Sequence, residues 1–384
     1  MISVDAANSS PRSAPRRDVI VAGGSAGAIE VMRTMLSHLP RDFDAAVLLV
    51  VHIAPSSPGR LAEILQRGCA LPVDWATDGE PLQAGRVYVA PPDRHLVVTP
   101  GRVQLTRAPR ENFSRPAIDP LFRSAALAYG ARVIGVVVSG RLDDGTAGLW
   151  AVKERGGLAI VQDPDDAAHA DMPRHALQYV AADHVVRAID IGPLLTRLVH
   201  EVVPVTTDPA PRDLELEVQI AMEANALEHG EPPLGPPTPY TCPECHGVLT
   251  RVEQGGVPRF RCHTGHAFSL DSLLASATEK VEEMLWSALR AVEETVALLT
   301  EAASAGRRGD DAGPDTAPAD PRFLDKAREA RERAELIRKA VLRHQTLSLE
   351  SIRLTMREFE RDDPRRPETI SASPPASRKS PPSP

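Results

Sequence analysis

The chain is short of aromatic residues, of cysteine and of basic charge. Phe, Trp and Tyr make up only 4% of its 384 residues, so the core has to be aliphatic. It has four cysteines, and its first residues, MISVDAANSSPRSAPRRDV, contain no apolar secretory segment; a disulfide-stapled secreted scaffold is excluded. No apolar run approaches the roughly 20 residues that a bilayer-spanning helix needs. Lys and Arg number 44 against 52 Asp and Glu, a net charge of −8, which withholds the basic face that nucleic-acid binding requires. These absences lead us to expect a cytoplasmic protein with no membrane insertion and no nucleic-acid partner. What is present is a 42% hydrophobic fraction, ample for the core of a domain of about 190 residues. The length suggests two or three folded units, and prolines gather in linkers and at the C-terminal end.

Apolar runs and amphipathic stretches alternate from residue 18 to about 203. Strands are expected at 18–23, 45–51, 86–90, 132–138, 157–162 and 184–189, and helices near 28–38, 57–68, 119–130, 146–155, 173–182 and 191–201. Such alternation predicts an α/β fold built on a doubly wound, mostly parallel sheet. Pro100-Gly101 between LVVT and RVQL predicts a hairpin over 95–105, which would make the sheet mixed at one edge. His95 is assigned to hairpin packing, and the isolated Cys69 to a small buried or half-buried position.

Three of these strands deliver polar residues to their carboxyl ends, the edge where ligands bind in open parallel sheets. Asp18 to Gly27, DVIVAGGSAG, runs from a strand into Gly23-Gly24-Ser25-Ala26-Gly27. Gly-x-Ser-x-Gly can present a nucleophilic serine on a sharp turn; the same turn can instead cradle a phosphate on helix N–H groups. AAVLLVV (45–51) ends at His52, and VIGVVV (133–138) leads into Ser139-Gly140-Arg141-Leu142-Asp143-Asp144-Gly145. A serine, a histidine to activate it and an aspartate, at 143 or 144, to orient the histidine therefore share one rim. The chain order Ser, His, Asp differs from the Ser, Asp, His of α/β-hydrolases.

Residues 18–203 resemble the catalytic domain of the chemotaxis receptor methylesterases, the CheB family. The resemblance rests on Gly23-Gly24-Ser25-Ala26-Gly27, Val51-His52 with Pro55, Ala90-Pro91-Pro92-Asp93-Arg94-His95-Leu96, Arg115-Pro116 with Asp119, Leu121 and Phe122, Ser139-Gly140 with Asp144-Gly145, and Met172-Pro173-Arg174. It implies Ser25 as nucleophile, His52 as general base and Asp144, directly before the glycine, as its orienting partner. Backbone N–H groups at Ala26 and Arg141 would form the oxyanion hole. The implied reaction is removal of methyl esters from receptor glutamates, with glutamine deamidation as a second activity, and it needs no cofactor. The sequence departs from the family pattern in having Ala26 after the serine, where the family usually has threonine, and Arg141-Leu142 in the Asp144 loop. Only 17 residues precede the first strand, too few for the family's phosphoreceiver domain. Arg115 and Asp119 either shape a substrate groove or form a surface ion pair.

Beyond residue 203, a linker at 204–239 can include a short acidic helix at 213–229 and ends in the stiff EPPLGPPTP (231–239). Cys242-Pro243-Glu244-Cys245 is followed, sixteen residues on, by Cys262-His263-Thr264-Gly265-His266. Two knuckles joined by a hairpin turning at Gly255-Gly256 have the layout of a zinc ribbon over 240–270. Cys242, Cys245, Cys262 and His266 would hold a structural zinc; His263 and His246 are alternative fourth ligands, and a redox pair of Cys242 and Cys245 is the competing reading. Ser269 and Asp271 can cap a following helix. A helical hairpin is expected over 271–361 around a flexible connector at 304–321, with Val281, Met284, Leu285, Ala288, Leu289, Ala291, Val292, Val296 and Leu299 on one helix and Leu324, Ala327, Ala334, Ile337, Val341 and Leu347 on the other. These stripes form a mutual core or bind a signalling partner. The arm 1–17 and the tail 362–384 are expected to be disordered.

The functional expectation is a serine hydrolase acting on methylated chemoreceptor cytoplasmic domains. A serine esterase with another protein or small-ester substrate, and a non-catalytic signalling adaptor, are the alternatives.

Overall fold

The computed structural model describes residues 15–57, 59–204, 208–223, 235–254, 256–305 and 320–344. The N-terminal arm to residue 14, much of the proline linker, Gly255 of the ribbon turn, most of the connector, Leu347 and the rest of the chain after 344 lie outside these residues.

Seven parallel strands form the central sheet: β1 (Val19–Gly24), β2 (Ala46–Val51), β3 (Val73–Trp75), β4 (Val87–Val89), β7 (Val133–Val137), β8 (Leu158–Gln162) and β9 (His184–Val186), in the spatial order β3-β4-β2-β1-β7-β8-β9. Strand order reverses at β1, which lies between β2 and β7. Alternate residues feed two cores. On one face Ile20, Ala22, Val47 and Leu49 pack against α1 (Ala28–Ser37), α2 (Leu61–Gln66) and α6 (Ala188–Leu198). On the other, Val19, Val21, Leu48 and Val50 meet α3 (Ile118–Tyr129), α4 (Thr146–Glu154) and α5 (Asp171–Tyr179). Both faces being covered explains why the strands read as unbroken apolar runs.

One expectation about the sheet needs correction. The hairpin exists, as β5 (His95–Thr99) and β6 (Arg102–Thr106), but it forms its own two-stranded sheet over α3, and the central sheet is parallel throughout its described strands. The sequence assigns no element to the stretch that holds the short β3, because a strand of three residues, Val-Asp-Trp, is too brief to show a period.

The region after residue 203 is not a string of separate pieces. Helix α7 (Arg212–Ala221) occupies the first part of the expected acidic helix and buries Leu214 and Val218 in the same core as α3 and the hairpin. The ribbon is a four-stranded antiparallel sheet: β10 (Pro237–Thr241), β11 (Val248–Gln254), β12 (Val257–Cys262) and β13 (Ala267–Ser269). On β12, Phe260 and Cys262 fill the ribbon's small core, while Arg259 and Arg261 turn the opposite way into the α/β domain. Helix α8 (Leu270–Ala305) starts directly from β13, with the Ser269 hydroxyl accepting the N–H of Ser272 at 3.0 Å, the expected cap. Asp271, in the first turn of the helix, faces His175 at 3.5 Å.

Helix α9 (Pro321–Arg343) pairs with α8. Their seam is narrower than the expected stripes. Leu289 and Ala303 of α8 and Ala327, Ala330, Ala334 and Val341 of α9 are buried, with Leu285, Val292, Val296, Leu299 and Ile337 half-buried beside them. Val281, Met284, Ala288, Ala291 and Leu324 are exposed. The seam repeats every three and four residues, the spacing of two helices packed along a shallow crossing, and the excluded residues lie around the helix from it.

Candidate active site and metal knuckle

Ser25, His52 and Asp144 follow three adjacent strands at the reversal of strand order, where open α/β sheets hold their ligands. Ser25 leaves β1 with its N–H bonded to Ser139 O at 3.0 Å, and His52 N–H bonds Gly24 O at 3.2 Å, so the backbone ties extend one residue past the sheet. The chain then turns into α1 through Gly27, whose φ of +78° favours glycine. Gly23 allows close packing: a Cβ there would lie 2.2 Å from Ile118 Cγ2.

His52 Nε2 lies 2.7 Å from Asp144 Oδ2. The Asp144 carboxylate also accepts the N–H groups of Ile118 (2.7 Å) and Asp119 (3.3 Å), the first residues of α3, and the Asn112 amide (3.2 Å). Burial works to raise this carboxyl, but the His52 hydrogen bond and charge, the Ile118 N–H and the Asn112 amide outweigh it and hold Asp144 below the ordinary carboxylate range. The helix dipole of α3 acts in the same sense.

Asp143 faces the other way. Its Oδ1 lies 2.6 Å from Ser269 Oγ of the ribbon, and its Oδ2 lies 3.8 Å from His175 Nδ1. Burial, with Asp271, Asp119 and Asp144 adding to it against the Ser269 bond, pushes Asp143 up to about 8. Burial thus favours the neutral form of Asp143, whereas the partners of Asp144 favour its ionised form.

Among the described residues, the N–H groups of Ala26 and Arg141 have no partner within the chain. The intervening Gly140 N–H is taken by His169 O at 3.0 Å. A side chain at Gly140 would press on Met172 Sδ at 2.8 Å and Ser25 Cβ at 3.1 Å. Ser139 Oγ, 2.8 Å from Ala26 O and 3.0 Å from His169 N, stitches the serine turn to the loop before α5.

Arg115 and Asp119 do not meet. Arg115 grips Asp93 Oδ1 (2.6 and 3.0 Å) and the carbonyls of Arg107 and Ala108, staying half-buried. Asp119 is buried, accepts Gly148 N–H at 2.6 Å and so joins α3 to α4. Burial and the nearby Asp144 push it up to about 6. A groove role does not fit a side chain only 2% exposed; nothing in the Arg115-Pro116-x-x-Asp119 string tells which of its charges turns inward. His95 packs as expected: it is fully buried, its Nδ1 accepts Ala117 N–H, and its Nε2 therefore carries the proton toward Pro109 O.

In the ribbon, Cys242, Cys245, Cys262 and His266 bring their ligand atoms within 4.8 Å of one another. The Cys245–Cys262 sulfurs are 3.6 Å apart and Cys262 Sγ lies 3.6 Å from His266 Nδ1. A zinc–sulfur bond of about 2.3 Å implies tetrahedral edges of roughly 3.8 Å, whereas a disulfide needs sulfurs about 2.0 Å apart. All four cysteines of the chain are free thiols. The residues therefore fit a metal and not a disulfide, with His266 rather than the exposed His263 completing the set. Glu244 stands 3.5 Å from His266 Nε2, the position from which a carboxylate orients a histidine ligand.

The sequence offered no sign of Asn112 or of a buried charge cluster between the catalytic domain and the ribbon. Arg123 pairs with both oxygens of Glu111 (2.7 and 2.6 Å), and Arg259 and Arg261 reach Glu111 and Glu217. The alternation Arg259-Phe260-Arg261 puts two arginines on one face of β12 but does not by itself tell a buried face from a solvated one.

A family model described as CheB methylesterase matches residues 20–195. A Leptospira interrogans protein, named provisionally as a protein-glutamate methylesterase/protein-glutamine glutaminase, is 41% identical over 182 residues, which are 47% of this chain and 94% of that protein. Protein-glutamate methylesterase/protein-glutamine glutaminase 2 of Anaeromyxobacter dehalogenans is 39% identical over 191 residues, 50% of this chain and 56% of that one. Among solved structures, the Thermotoga maritima CheB methylesterase catalytic domain is 32% identical, with 49% of this chain and all of that one covered and a TM-score of 0.46. With the Leptospira interrogans relative 41% identical and matched over 94% of its length, the chain belongs to the CheB methylesterase family.

Proposed function

We propose that this protein is a serine hydrolase that removes methyl esters from glutamate side chains of chemoreceptor cytoplasmic domains, and that it also hydrolyses glutamine side-chain amides there. The observation that carries this reading is the buried, ionised Asp144 held 2.7 Å from His52 at the rim that bears Ser25. His52 commits Nε2 to Asp144, which leaves Nδ1 to take the Ser25 proton. Ser25 Oγ attacks the ester carbonyl, and the N–H groups of Ala26 and Arg141 receive the oxyanion. Methanol leaves with the proton from His52. Water then attacks the acyl-enzyme, His52 again accepting a proton, and glutamate and free Ser25 are restored. An amide follows the same steps and releases ammonia. On this reading the protein acts in the cytoplasm, with methylated receptors as its partners.

Cys242, Cys245, Cys262 and His266 would hold a zinc ion whose four positions are filled by protein, so its contribution is to folding. The direct test of the main proposal is methanol release from methylated receptor. Ser25→Ala should lower it by about a thousandfold or more; release at the wild-type rate would overturn the serine mechanism.

A further inference from the structure

Asn112 stands between the triad and the metal knuckle and touches both sides. It lies in the loop before α3, is 8% exposed, and has a left-handed backbone with φ of +49°. Its N–H donates to Ala267 O at 2.8 Å. Its side-chain Oδ1 accepts the Ser269 N–H at 2.8 Å and lies 2.9 Å from Ser272 Oγ. Ala267 and Ser269 belong to β13, and Ser272 to the first turn of α8. Because a backbone N–H can only donate, Oδ1 must be the acceptor, and the amide cannot flip. Its NH2 group is thereby aimed at Asp144 Oδ1, 3.2 Å away. The orientation of the donor that meets the triad carboxylate is set by the ribbon.

The chain of contacts continues to the knuckle. His266 immediately precedes Ala267, and Cys262 N–H bonds His266 O at 3.0 Å, closing the tight turn from which β13 departs. Two of the four candidate ligands, Cys262 and His266, and the strand that holds Asn112 are one continuous segment.

We infer that Asn112 is a positioning residue of the hydrolase, held by β13 and the start of α8, and that the ribbon completes the active site from outside the catalytic domain. This rests on the serine-hydrolase reading above. The Asn112 amide, with the Asp119 N–H, occupies Asp144 Oδ1 and leaves Oδ2 toward His52, so losing it loosens His52 during proton transfer. A hydrogen bond to a buried charged group sets the scale, about ten- to hundredfold in rate. Loss of a neutral bond one step further out, at Ser272, should cost about two- to tenfold.

The experiment uses the full chain and p-nitrophenyl acetate as the probe, with Ser25→Ala in parallel. Asn112→Ala should lower kcat about ten- to hundredfold with KM nearly unchanged, and Ser272→Ala should lower kcat about two- to tenfold. In a double-mutant cycle the Ser272→Ala effect should vanish in the Asn112→Ala background, since a route through Asn112 can be cut only once. Should Asn112→Ala not fold, Ser272→Ala and Asn112→Ser carry the same comparison. Wild-type kcat in Asn112→Ala, or a Ser272→Ala loss that persists undiminished without the Asn112 side chain, would overturn the inference. Either result with Ser25→Ala inactive refutes the positioning role alone; an active Ser25→Ala would refute the serine mechanism beneath it.

Discussion

Glu217→Gln is the substitution that should disturb this fold most for the fewest atoms changed. Glu217 is fully buried on α7. Its oxygens lie 3.0 Å from Arg259 Nη1, 3.1 Å from Arg261 Nε, 2.5 Å from Arg261 Nη2 and 3.4 Å from Arg123 Nη1. Three guanidinium groups are thus shared between Glu217 and Glu111, with Asp119 at 3.9 Å from Arg123 as a third, partly protonated carboxyl. Amidation removes one of two strong anions and leaves three buried guanidinium groups to share Glu111 and Asp119. Close pairs attract by about 4 kcal/mol at an effective dielectric near 20. Most of that offsets desolvation while the pairs are intact, and the share that Glu217 supplied is lost when its charge is removed. Breaking such a pair costs about 3–5 kcal/mol, a large share of the 5–15 kcal/mol a domain has in all. The assay is urea denaturation of the full chain, followed by circular dichroism and by fluorescence to test whether the transitions coincide. Glu217→Gln combined with Arg259→Gln restores neutrality and should recover more than about 1 kcal/mol of the summed single losses. A cost under about 1 kcal/mol for Glu217→Gln, or strict additivity in the double variant, would refute the claim that these charges are held by one another rather than by water.

The same carboxylate gives a pH signature. Burial opposes ionisation of Glu217, but Arg259, Arg261 and Arg123 lower it from 4.5 to about 2, so its stabilisation is present above about pH 4.5 and is lost as pH falls toward 2; Glu217→Gln should abolish that part of the acid transition. Asp143 has the opposite sign: raised from 3.8 to about 8, it stabilises the fold in acid and that contribution falls away between about pH 4 and pH 8. Asp143→Asn should therefore gain thermal stability relative to wild type as pH rises through that window, and a difference independent of pH would count against the assignment. Elemental analysis should find one zinc per chain, lost in Cys262→Ser, and chelation should lower turnover of the full chain but add nothing to Asn112→Ala. Gly140→Ala should fold yet lose about tenfold or more in turnover, because its methyl would meet Met172 Sδ at 2.8 Å and Ser25 Cβ at 3.1 Å; unchanged kinetics would mean the serine turn has more room than the structure gives it.

What could be read from the sequence was what local chemistry determines. Ala46–Val51 is apolar at every position because helices cover both faces of β2, and that run ends where His52 must emerge. The serine turn is legible because a chain leaving β1 for α1 has no room for side chains at Gly23 and needs a left-handed residue at Gly27. The cysteine knuckles are legible because metal ligands have fixed spacing. The hairpin was legible as a hairpin from Pro100-Gly101, but no local signal said whether its strands would join the parallel sheet or lie over α3. The helical stripes were drawn too wide because apolar residues also occupy the exposed sides of α8 and α9, Met284 and Leu324 among them.

The contacts that escaped the sequence share one property: their partners are far apart along the chain. Arg259 and Glu111 are 148 positions apart, and Asn112 and Ser269 are 157. Each of these residues, seen alone, is an ordinary surface type, since arginine, glutamate and asparagine are mostly exposed. Burial reverses their meaning. A guanidinium pair on β12 that would be solvated in a free ribbon becomes the complement of Glu111 and Glu217, and the β12 strand is fixed against the catalytic domain by charges that cannot be separated cheaply. That attachment sets β13, and β13 sets the Asn112 amide beside Asp144. The motif reading treated the ribbon as a module beyond a proline linker because linker composition is a local signal and burial is not. In the folded chain the ribbon's charged face and its Cys262–His266 turn approach the α/β domain together, so that the hydrogen-bond network around Asp144 draws on both sides of the linker.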